Sequence, residues 1–204
     1  MRRLRLITTT IAIVFVPLAG LQAGAASPIP VAEWAIDPAK SEVRFTITKF
    51  GFEDVTGVFR ESEGVVRYDP ARPAESAIRW RVRVASVLTD ATNRDRSLQG
   101  PDYFDAARFP FLSFESRAVR PLAADRLEVS GDITIRGVTR PLTITVRPRA
   151  AAAGPVFESD FEINRYDFGV VGGTILGRLI GRRARVHVVA ATIPVPPAER
   201  PAIR

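Results

Sequence analysis

Seven separate stretches of this chain alternate apolar with polar residues. A period of two marks a strand with one dry face and one wet face. Val43, Phe45 and Ile47 alternate with Arg44, Thr46 and Thr48. Ile78, Trp80, Val82 and Val84 alternate with Arg79, Arg81 and Arg83. The same pattern carries Leu112, Phe114 and Ser116; Leu127, Val129, Ile133 and Ile135; Leu142, Ile144 and Val146; Phe157, Phe161 and Ile163; and Val186 and Val188. A longer strand over 55–68, bent near 61–64, brings the count to eight. Turn residues separate the strands at Asp69-Pro70 with Pro73, at Arg136-Gly137 and at Gly154-Pro155. Eight half-dry antiparallel strands are most economically arranged as a closed barrel or a two-sheet sandwich.

Two stretches break the pattern. Residues 89–98 read as a short polar helix, with Thr89 and Asp90 as candidate N-caps and Asp90 placed to meet Arg94. Residues 169–182 are glycine-rich, with Ile175, Leu176, Leu179 and Ile180 apolar, and read as a flap or a short helix. The end, from Pro194 on, carries four prolines and reads as a disordered tail.

The N-terminus reads as a secretory signal peptide over 1–25. Arg2, Arg3 and Arg5 precede an uncharged run over 7–21, and Ala23-Gly24-Ala25 fits a small-x-small cleavage site. Export to the periplasm is the expected outcome, with a mature domain over 26–193 and the tail over 194–204. Loss of three arginines lowers Lys+Arg from 29 to 26 against 22 acids, so the net charge falls from +7 to +4. Basic and acidic residues are interspersed, which argues against nucleic acid as a partner. The chain has no Cys, so stability must come from an apolar core.

The inventory excludes most catalytic chemistry. One His, His187, and no Cys leave no His/Cys metal site. Strand parity turns His187 to the wet face, away from any triad. Gly172 to Gly177 have the glycine spacing of a phosphate loop, but Arg178 and Leu179 stand where Lys and Ser/Thr are needed. Glu158, Asp160 and Glu162 share a wet strand face, and Asp102 and Asp105 lie in a loop among aromatics. No catalytic residue, metal or resident cofactor is assigned. Phe45, Trp80, Phe114, Phe157 and Phe161 lie on dry parities; they either fill a small barrel or line a cavity.

Several motifs in fixed order resemble one family. WAIDPAKSEVRF (34–45), GVF (57–59), NRDRSLQGPDYFD (93–105) followed by Phe109-Pro110, GDITIRGVTRPLTI (131–144) and FEINRYDFG (161–169) are similar to the YceI-like family over roughly 34–193. The resemblance implies an exported bacterial protein with an eight-stranded, antiparallel, lipocalin-like all-β barrel, one short helix over an end and an internal apolar cavity. It implies a long isoprenoid ligand there, such as a polyprenyl quinone or its phenolic precursor, and no enzymatic activity.

The inward residues expected to meet such a ligand are Phe45, Ile47, Phe59, Trp80, Val82, Val84, Leu98, Phe104, Phe114, Val129, Ile133, Ile144, Phe157, Phe161, Val186 and Val188. Family members often carry His where Lys40, Lys49 and Ser97 stand here, so Lys40, Lys49, Arg94 and Arg96 become the head-group candidates. The mouth is expected near 89–109 and the 169–182 flap. Transient membrane contact would serve lipid exchange, and Val189 and Ile193, off parity, would permit a homodimer. Two rival readings stay open. One is an enzyme on a lipid-like substrate using Asp102, Tyr103 or Asp105; the other is a packed barrel that acts through its outer surface.

Overall fold

The computed structural model describes residues 32–173, 177 and 179–195. The expected signal segment and the tail beyond 195 lie outside the described residues. In chain order the elements are β1 (Glu33–Ile36), β2 (Glu42–Lys49), β3 (Glu53–Phe59), β4 (Ser62–Arg67), β5 (Ala77–Arg83), β6 (Val87–Leu88), α1 (Thr92–Gln99), β7 (Phe111–Ala123), β8 (Arg126–Ile135), β9 (Val138–Arg149), β10 (Val156–Asn164) and β11 (Ile180–Pro194).

These strands form a closed, eight-stranded antiparallel barrel. Six of them are halves of three long staves. Both β1 and β2 lie antiparallel to β11, at Trp34↔Pro194 and Val43↔Val188. Next to them β4 pairs with β1 and β3 with β2, and beyond those β5 pairs with β4 and β6 with β3. Strands β7 to β11 follow in sequence order, and β11 returns to the first stave to close the ring. The ring closes through β1, which pairs with both β4 and β11, while the β2–β3 arm ends at β6.

The expected bend in the second stave falls between β3 and β4, and Ser86 holds it. Its hydroxyl donates to the Arg83 carbonyl at 2.7 Å and accepts from the backbone N–H of Arg60 at 3.2 Å and of Glu61 at 3.1 Å. A single 3-10 turn, Val84–Ser86, kinks the third stave at the same height.

The arginines of β5 face water, each beside a carboxylate on a neighbouring stave. Arg79 meets Glu115 at 2.9 Å, Arg81 meets Glu63 at 2.6 Å and Arg83 meets Glu61 at 2.8 Å. The alternate row turns inward: Trp80 and Val82 are buried.

One end of the barrel is solid. Trp34, Ile36, Val66, Tyr68, Val119, Leu127, Val129, Ile144, Val146, Phe157 and Ala190 pack there as part of a single apolar cluster. Tyr68 stands edge-on to Phe157, their ring centroids 5.2 Å apart. The other end gathers the β2–β3 hairpin, the β8–β9 hairpin, α1 with its following loop, and the β10–β11 connection.

Three local expectations need correction. The helix starts at Thr92, with Ala91 at its N-cap and no capping side chain. Asp90 instead takes a left-handed turn, φ 59°. Arg94 reaches back to Thr89 rather than to Asp90, its Nε 2.7 Å from the Thr89 hydroxyl, which itself donates to Asp95 at 2.5 Å. Pro194 belongs to the last strand, opposite Trp34, and not to a disordered tail. Within the 169–182 stretch, Val170 is buried and Ile180 opens β11, while Ile175 and Leu176 fall outside the described residues.

Candidate ligand-binding cavity

Above the solid end lies a cavity of about 640 Å³. That volume falls within the roughly 300–1,000 Å³ of small-molecule sites. Its wall carries twelve of the expected inward residues: Phe45, Ile47, Phe59, Trp80, Val82, Leu98, Phe104, Phe114, Ile133, Phe161, Val186 and Val188. Strand parity puts ten of them there, each on the dry face of its stave, while Leu98 comes from α1 and Phe104 from the loop that follows it.

Four others do not reach it. Val129, Ile144 and Phe157 share the inward parity but stand at the solid end, where they fill the floor. Val84 is fully buried in the 3-10 turn, where the chain leaves its strand geometry. Parity says which face a residue occupies; it does not say how far along the barrel axis it sits.

Glycine opens the wall at two positions. Phe45 stands opposite Gly57 in the β2–β3 ladder. Phe114 extends over Gly131 on β8. Because neither glycine has a side chain, each ring lies flat along the wall instead of standing into the cavity. Aromatic contacts then run from Phe45 to Phe59 at 5.6 Å and from Phe59 to Phe104 at 5.7 Å, and so link the barrel wall to the loop after α1.

Polar groups collect toward the mouth: Lys49, Thr89, Arg94, Ser97, Asp102, Tyr103 and Arg165 all line the cavity. Of the head-group candidates, Lys49 and Arg94 are on its wall. Lys40 and Arg96 are not: Lys40 is exposed beside Asp37, 3.8 Å away, and Arg96 faces solvent on α1. Asp105 is buried in a left-handed turn and accepts from Arg108 at 3.4 Å, which suits a loop anchor more than a proton carrier. His187 lies on the outer face, its Nδ1 2.7 Å from an Asp160 oxygen.

Arg165 escaped the sequence reading. It lies inside the FEINRYDFG motif, but off any strand, where alternation carries no signal. Its side chain is only 6% exposed. It donates to the carbonyls of Gly181, Gly177 and Ile180 at 2.9 Å each and of Val170 at 2.5 Å. Burial pushes its guanidinium below the usual arginine range. Arg165 thus gathers the β10–β11 connection against the mouth. Arg136, in the β8–β9 turn, ties the same region to the loop after α1 by donating to the carbonyls of Gly169 and Pro101.

The YceI-like domain profile matches residues 34–192. The chain belongs to the YceI-like family. A UPF0312 protein of Pseudomonas fluorescens is 32% identical to it over 158 residues, covering 71% of this chain and 80% of that protein. The crystal structure of Burkholderia cenocepacia BcnA superposes with a TM-score of 0.70 at 27% identity, covering 76% of this chain and 99% of BcnA. A polyisoprenoid-binding domain from Saccharophagus degradans, implicated in plant cell wall breakdown, shares the fold with a TM-score of 0.65 at 17% identity, covering 81% of this chain and 99% of that domain. Membership in the YceI-like family accounts for the motif order, and the cavity is what these motifs build in this chain.

Proposed function

We propose that this YceI-like chain is an exported carrier that holds a long polyisoprenoid lipid, a polyprenyl quinone or its phenolic precursor, with the tail in the barrel and the head at the mouth. One observation carries the reading: an apolar cavity of about 640 Å³, solid at one end and ringed with polar groups at the other. The shared fold of the Saccharophagus domain, whose own description is polyisoprenoid binding, supports the same class of ligand.

The physics is transfer of branched hydrocarbon from water. Each methylene-sized group contributes roughly 0.8 kcal/mol, so a five-carbon unit supplies about 3–4 kcal/mol before ordering costs. Lys49 and Arg94 would donate to a quinone or phenol oxygen at the mouth. Binding, rather than turnover, is the role this arrangement serves best. Export follows from the N-terminal signal pattern, and the N-terminus of the protein recovered from the periplasmic fraction tests it.

Trp80 lines the cavity and Trp34 lies in the solid end, so Trp34→Phe leaves one reporter on the cavity wall. Titration with a polyprenyl quinone should quench that reporter saturably. Mass spectrometry should find an isoprenoid in organic extracts of the purified protein. Empty protein that also fails to quench would overturn the reading.

A further inference from the structure

The β2–β3 hairpin beside the mouth breaks two rules of soluble protein surfaces. Phe52 is 83% exposed and Phe50 is 42% exposed at its tip, their rings 6.4 Å apart. Phe50 also takes a left-handed conformation, φ 55°, followed by Gly51 at φ 81°. Such a tight turn favours Asn or Gly at the first of these positions, and a bulky aromatic there is strained. Fold stability accounts for neither residue.

The surroundings point to a partner. The Phe50 N–H donates to the Leu179 carbonyl at 2.8 Å, which brings Leu179, 46% exposed, against the hairpin. The ammonium of Lys49 sits 4.6 Å above the Phe50 ring, and Lys49 itself lines the cavity. Across the β10–β11 connection, exposed Arg182 stacks on Tyr166 at 5.1 Å. Apolar tips with cations behind them are how peripheral proteins sit in a lipid interface: the rings enter the acyl boundary while the cations stay among the head groups.

We propose that Phe50, Phe52 and Leu179 form a docking patch for a lipid bilayer, which brings the cavity mouth against the membrane for lipid exchange. The cargo in this statement rests on the carrier reading; the bilayer contact rests on the patch itself. A second copy of the chain fits the patch poorly. Two phenylalanines bury at most about 300–500 Å², whereas a stable interface takes about 800 Å² from each partner.

The test is flotation of the protein, purified as the cell processes it, with phosphatidylethanolamine–phosphatidylglycerol vesicles. Wild type should float, and Phe52→Ser should lower the bound fraction about tenfold. Phe50→Asn should weaken binding similarly while its melting temperature holds or rises, because it relieves the turn. Quinone quenching of Trp80 in detergent should be unchanged in both variants, while transfer of quinone from vesicles slows. Wild type that does not float, variants that float equally, or a concentration-dependent dimer abolished by Phe52→Ser would each overturn the patch. Flotation without quinone uptake would leave the patch standing and sink the carrier reading; uptake without flotation would do the reverse.

Discussion

A Cβ built on Gly57 would lie 2.3 Å from the Cζ of Phe45, the residue opposite it in the β2–β3 ladder. Gly57 is therefore the space that the Phe45 ring occupies when it lies along the wall. The nearest obstacle to a side chain here is the far end of a ring with open cavity on its other side; the methyl of buried Thr89 follows at 2.9 Å.

Gly57→Ala should consequently cost about 1–3 kcal/mol of stability, the usual range for overpacking. The displaced ring would swing into the cavity, and uptake of a polyprenyl quinone should fall much more than stability does. Urea unfolding beside Trp80 quenching separates the two effects.

Gly131→Ala should behave differently. The added Cβ would meet the backbone carbonyl oxygen of Glu115 at 2.3 Å and the Phe114 ring at 2.9 Å. A backbone carbonyl in a sheet ladder cannot swing aside. We expect a loss of at least about 3 kcal/mol, the upper part of the overpacking range, read as an earlier urea midpoint.

Arg165→Lys should loosen the mouth. A lysine ammonium cannot reproduce the planar fork that reaches four carbonyls. Leaving buried carbonyls unpaired should cost about 2–4 kcal/mol. Hydrogen exchange should rise first in the backbone amides of the β10–β11 connection, with β8 and β9 still protected.

Asp160 gives a pH test. Its carboxylate accepts from Arg147 at 2.6 Å and bonds His187 at 2.7 Å, and these bonds hold its pKa below the ordinary 3.8. A lowered folded-state pKa contributes stability that is complete above the unfolded value and is lost as pH falls through the folded one. The gap between wild type and Asp160→Asn should therefore be present at neutral pH and close in strong acid. It should not exceed about 1 kcal/mol, because the pair is exposed.

Much of the barrel was legible because burial on one face imposes a period of two, and β5, with Trp80 and Val82 buried between exposed Arg79, Arg81 and Arg83, shows it directly. The rest depends on information that alternation lacks. Phe157 and Phe161 share a parity, yet one is floor and the other is cavity wall, since height along the axis follows from register and register from turns. The partnership of Phe45 with Gly57 likewise needs the hairpin at Phe50-Gly51-Phe52 to be placed first. Arg165 follows the end of a strand, in a 3-10 turn, where no periodicity applies. Lys40 stands at a position of a family histidine and Arg96 is a donor next to another, Ser97, but neither fact says which way a side chain faces.

The floor that Tyr68 and Phe157 seal has a kinetic corollary. A vessel closed at its base empties in the reverse of its filling order. If the proposed lipid slides in tail-first, its head stays on the threshold, where a receiving surface would grip it before the remainder leaves.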